Sequence, residues 1–116
     1  METPSPELES PELETPAPFI VVNTFTLKRG QLDAFIAAQR DGLLAMRGRI
    51  DGLLGSRLHR ALERDQALLV SVFASRAAFE RFRDGELFAA HRARLAPFIE
   101  RTEPVFYAPA YAAGSV

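Results

Sequence analysis

Two stretches of this chain are apolar on both sides of an extended backbone. In residues 19–27, Phe19, Val21, Asn23 and Phe25 alternate with Ile20, Val22, Thr24 and Thr26. Residues 68–73 set Leu69, Ser71 and Phe73 against Leu68, Val70 and Val72. Successive side chains of a strand point to opposite faces, so both faces of such a sheet need cover. A sheet with one wet face would alternate apolar with polar residues instead. Whatever helices the chain makes must cover one face, and something else must cover the other.

The segments between these strands supply the helices. After the break at Lys28-Arg29-Gly30, residues Leu32, Phe35, Ile36, Leu43, Met46 and Ile50 recur at helical spacing, with Gln39 on the same stripe. This predicts an amphipathic helix over 31–49, loosened at Gly42 and Gly48. Asp51-Gly52 is a turn. Strands over 54–62 and 67–74 follow, joined as a hairpin through Glu63-Arg64-Asp65-Gln66. Ser75 is a good N-cap for a helix carrying Phe79 and Phe82, which Asp84-Gly85 interrupts. A further helical stretch carries Leu87, Phe88, His91, Leu95 and Phe98, with Pro97 marking its end, and a last strand is predicted over 104–111. The order β-α-β-β-α-β is the split βαβ signature of a ferredoxin-like α+β fold, a four-stranded antiparallel sheet with helices on one face. Only residues 112–116 follow the last strand, and they are small or polar. They cannot cover the second sheet face, so a second copy of the chain is expected there, making a homodimer.

The 116 residues fit one domain, predicted over 19–111 with a tail over 112–116. Residues 1–18 carry five glutamates and no base, and prolines at 4, 6, 11, 16 and 18 forbid a regular helix. They read as a disordered acidic Pro/Glu-rich extension. Thirteen of the fourteen bases are Arg, but they are scattered among acids, so no nucleic-acid partner is expected. No apolar run reaches about 18 residues, so no membrane span is expected. The chain has no cysteine. That removes thiol nucleophiles and thiolate metal sites, and fits a cytoplasmic protein.

Several local strings, in this order and spacing, resemble the antibiotic biosynthesis monooxygenase family of dimeric α+β barrels. They are Val22-Asn23-Thr24-Phe25, Gly52-Leu53-Leu54-Gly55-Ser56-Arg57-Leu58-His59-Arg60, Phe73-Ala74-Ser75 with Phe79, and Phe88-Ala89-Ala90-His91. The resemblance implies a ligand cleft between sheet and helices, and two sheets packed into a barrel at the dimer interface. It implies a small cofactor-independent monooxygenase or related tailoring enzyme, using molecular oxygen on an aromatic polyketide of the anthrone or hydroquinone type. It also admits a haem-binding, haem-degrading enzyme using His91 and Asn23, or a non-catalytic ligand-binding dimer. No metal ligand set is expected.

The candidate catalytic residues are Asn23 and His91. Asn23 interrupts an apolar strand face and matches the family's pocket asparagine, whose carboxamide can donate to an anionic oxygen without carrying charge. A core Asn satisfied by backbone is the other role open to it. His91 matches the position of the haem ligand in haem-degrading relatives, and a near-neutral imidazole is also a candidate base. A lone histidine on an apolar helix face more often simply packs. The substrate-binding candidates are Phe73, Leu69, Ser71, Phe35, Phe88, Arg57 and His59. Arg57 and His59 share a strand face that suits a phenolate or carboxylate, or are plain surface charges. The family's oxygenases usually carry Trp where this chain has Phe73, and often Asn where it has Leu69, so two polar donors of that pattern are missing here.

Overall fold

The computed structural model describes residues 18–115. The acidic extension therefore lies outside the described residues except for Pro18, and so does the final Val116.

Four strands and three helices follow one another in the predicted order: β1 (Phe19–Leu27), α1 (Leu32–Met46), β2 (Leu53–Arg60), β3 (Gln66–Phe73), α2 (Arg76–Arg83), α3 (Glu86–Leu95) and β4 (Ile99–Tyr107). A 3₁₀ turn, Ala96–Phe98, links α3 to β4 and contains Pro97. The strands form one antiparallel sheet in the order β2-β3-β1-β4. This is the ferredoxin-like arrangement, in which the two strands without wet-face patterning occupy the centre.

Local chemistry sets the element ends. Ser75 caps α2 by accepting a 3.1 Å hydrogen bond from the Ala78 amide. Gly85 separates α2 from α3, which run as two helices. Gly52 has φ of 81°, a left-handed conformation that a Cβ disfavours, and an added Cβ there would lie 2.5 Å from that of Ala78. The turn into β2 is thus closed tightly against α2.

The last strand differs from its expected span. It starts at Ile99, five residues before the predicted 104, and ends at Tyr107. The run Glu100-Arg101-Thr102-Glu103-Pro104 has the composition of a loop. It is nevertheless paired, because β4 is an edge strand: β1 pairs with it on one side, and its charged side chains stay exposed. An edge also tolerates Pro104, whose missing N–H need not serve a ladder on its outer side.

The odd-numbered residues of β1 face the helices. Phe25, Leu27, Phe35, Ala67 and Leu95 form one buried cluster, and Val21, Phe73 and Ala78 form a second. The Phe25 and Phe35 rings pack at a tilt with centroids 4.9 Å apart, which locks α1 onto the sheet centre. The opposite face presents rows such as Arg57-Val70-Val22-Val105 and Val72-Ile20-Tyr107. Ile20, Val22, Val70 and Val72 remain only half-buried there, and Val105 and Tyr107 are exposed.

Candidate functional site

Between the helix-facing side of the sheet and the three helices lies a cavity of about 430 Å³. Each strand contributes to it through its odd or even register as pairing dictates. Across the sheet, one row reads Leu58-Leu69-Asn23-Pro104 and the next reads Ser56-Ser71-Val21-Phe106. Asn23, Leu69 and Ser71 therefore form part of the cavity floor, with the Ser56 and Ser71 hydroxyls 3.4 Å apart. Asn23 has apolar neighbours on both sides in its row, and its Oδ1 is enclosed with no hydrogen-bond partner among the described residues. No backbone group among the described residues satisfies this oxygen.

One end of the cavity is a wall of phenylalanine rings. Phe73 is 5.4 Å from Phe79 and 6.0 Å from Phe82, and Phe82 is 5.3 Å from Phe88. Phe106 of β4 continues the wall at 5.3 Å from Phe79. A planar aromatic ligand would find ring faces and edges here at the spacings that aromatic pairs prefer. Exposed Arg83 and Arg92 stand at the cavity's rim. Arg83 is held by Asp84 at 2.9 Å.

The polar end is built from α1 and α3. His91 and Gln39 are both buried, and His91 Nε2 lies 2.8 Å from Gln39 Oε1. A carboxamide oxygen only accepts, so His91 Nε2 carries the proton and donates. The reverse arrangement would require a proton on His91 Nδ1, which is enclosed without any partner among the described residues. An orphaned buried N–H is rarer than an under-used acceptor, which selects the first arrangement. Gly42, one helical turn from Gln39, makes room for this ring. A Cβ on Gly42 would fall 2.2 Å from His91 Nδ1 and 2.3 Å from its Cε1. Burial pushes the His91 pKa below the ordinary histidine value, and the Arg94 guanidinium adds to the effect. Both effects favour the neutral imidazole.

These positions sort the sequence candidates. Asn23, His91, Phe73, Leu69, Ser71 and Phe88 converge on the one cavity. Phe35 does not line it: fully buried, it fills the core beneath α1. Arg57 and His59 do not line it either. They pair with Val70 and Leu68, which places both on the opposite face of the sheet. A signal for Gln39 was present in its place on the apolar stripe of α1. Gly42 looked like a weak point in the helix, whereas its missing side chain is what admits His91. The ring nitrogen that Gln39 leaves free for a haem iron, His91 Nδ1, is enclosed beside Gly42, so this arrangement does not fit haem ligation by His91. Among the described residues no three His, Cys, Asp or Glu side chains gather as a metal site, and no helix is long and apolar enough to cross a membrane.

Comparison with known proteins gives consistent results. The family profile described as antibiotic biosynthesis monooxygenase matches residues 18–94. No curated protein matches the sequence. Among solved structures, the chain is similar to SnoaB, a cofactor-independent oxygenase from Streptomyces nogalater. The identity is 22%, with 79% of this chain and 92% of that chain covered and a TM-score of 0.69. Protein SO0527 from Shewanella oneidensis is also 22% identical, with coverage of 85% and 96% and a TM-score of 0.70. Rv0793 from Mycobacterium tuberculosis is 20% identical, with coverage of 79% and 94% and a TM-score of 0.68. At these identities the structural likeness speaks for the fold.

Proposed function

The chain belongs to the antibiotic biosynthesis monooxygenase family, and from that premise we propose that it is a cofactor-independent oxygenase of a planar aromatic substrate, an anthrone or hydroquinone that it converts to a quinone. The observation that carries this reading is the composition of the cavity. A phenylalanine wall meets two carboxamides, half-buried Asn23 from the sheet and buried Gln39 from α1. Its volume of about 430 Å³ is in the range of small-molecule sites.

The chemistry asked of the protein is modest. An anthrone that loses a proton from its CH₂ group becomes an enolate. The enolate passes an electron to O₂, and recombination forms a carbon–oxygen bond. Loss of water from the resulting hydroperoxide leaves the quinone carbonyl, so that one oxygen atom enters the product and the other leaves as water. The step that a protein can accelerate is the first. Neutral amide donors aimed at the developing oxyanion stabilise it most in a site that excludes water. Asn23 is the donor on the sheet side in this reading. His91 is not the base, because its free lone pair lies against Gly42. The substrate proton passes to water at the rim, where Arg83 and Arg92 favour the anion.

The uncovered sheet face supports a homodimer. Rows such as Val70-Val22-Val105 offer a self-complementary apolar surface to a second copy.

Oxygen uptake with a panel of anthrones and naphthols tests the reading. Consumption above the spontaneous rate, with the quinone as product, is expected for at least one polycyclic member. No acceleration across the panel would overturn it.

A further inference from the structure

Gln39 is only 6% exposed, yet it borders two cavities, the aromatic one and a neighbouring space of about 290 Å³. A buried carboxamide is costly unless its hydrogen-bonding capacity is used. Its oxygen is used by His91. Its nitrogen donates to no acceptor among the described residues, and it is not among their fully enclosed, unpartnered atoms. The amide hydrogens are thus turned to cavity space. We propose that Gln39 is the second hydrogen-bond donor of the site, presenting its Nε2 to the substrate oxyanion, and that His91 is the positioning residue that fixes the amide in this orientation.

The inference rests on reading the cavity as a site that stabilises an aromatic enolate. Three further observations support it. The orientation is enforced: with His91 Nε2 as the donor, a flipped amide would set N–H against N–H. The arrangement is built into the helix, since Gly42 gives up helix propensity and thereby admits the imidazole. It also answers the absence of polar donors at Phe73 and Leu69, because neither side chain can hydrogen-bond an oxyanion. The two amides then approach the substrate from different elements, Asn23 from the floor and Gln39 from the helix layer.

The test is the ionisation of a bound probe, 1,8-dihydroxyanthrone, titrated by absorbance under nitrogen so that no turnover occurs. The native protein is expected to lower the probe's apparent pKa, with Arg83, Arg92 and both amides contributing. Gln39→Leu should raise it by about one unit, a tenfold loss of anion stabilisation. Gln39→Glu keeps the acceptor for His91 while replacing the donor with charge, and should raise it further. It also decides the matter if Gln39→Leu does not fold. His91→Leu should reproduce the Gln39→Leu rise, His91→Gln should restore part of it by donating to the same oxygen, and combining His91→Leu with Gln39→Leu should add little. An ionisation that both Gln39 variants leave unchanged while Asn23→Ala raises it would overturn this inference alone. A native protein that does not bind the probe, or does not lower its pKa, would overturn the enolate reading together with it.

Discussion

His91 Nε2 donates a 2.8 Å hydrogen bond to Gln39 Oε1 across 52 residues of sequence, joining α3 to α1 inside the apolar layer. The bond uses one nitrogen of the ring, and Gly42 encloses the other. This pair organises the polar end of the cavity, and it gives the first two predictions.

Gly42→Ala should destabilise the protein. In a helix interior this change ordinarily stabilises by about 1 kcal/mol. Here the new methyl meets His91, whose ring is buried and tied to Gln39, so the ring must move. An overpacking cost of about 1–3 kcal/mol is expected, measured by urea denaturation. In a His91→Ala background the same change should become neutral or stabilising. A stabilising Gly42→Ala in the native background would show that the ring is not held there.

Stability should fall with acidification through His91. Its pKa in the folded protein is below the ordinary value of 6.5. Below about pH 6.5 the unfolded chain takes up the proton first, which favours unfolding. The contribution is fully present above that pH and is lost as pH falls toward the depressed folded value. Comparing urea midpoints at pH 7.5 and 5.5, the native protein should lose more stability than His91→Leu. Equal losses would mean that the imidazole is protonated without penalty.

Asn23→Ala should leave the fold intact and slow turnover. Removing one oxyanion donor costs about 2.7–4 kcal/mol of transition-state stabilisation in comparable sites. The loss should appear in kcat rather than KM, with an unchanged circular dichroism spectrum. Full activity on a substrate that the native protein turns over would remove Asn23 from the mechanism.

The native protein should sediment as a dimer at micromolar concentration, burying on the order of 2,000 Å² or more. Val22→Glu, at the centre of the row Val70-Val22-Val105, should shift it toward a monomer while the sheet persists. A native species at the monomer mass of 12.8 kDa would leave the apolar face without its expected cover.

The sequence by itself determined the order of strands and helices. The patterns that encode it are local: alternation in β1 and β3, helical spacing in α1, Ser75 at a helix start and Gly52 at a turn. It misplaced β4 by five residues at its start, because an edge strand needs no apolar alternation to be paired. Asn23 stood out as a polar interruption, and so in principle did Gln39. Only the tertiary structure decided which face of β1 meets the helices. Both faces are apolar, so alternation alone gave no preference; the packing of Phe25 against Phe35 and of Phe73 against Phe79 set it toward the odd residues. That same choice brought Asn23 into the cavity and left Arg57 and His59 on the other side. The role of Gly42 was equally out of reach, since the meaning of a missing side chain depends on what another element places in the space, and helix rotation about the packed core brings His91 there.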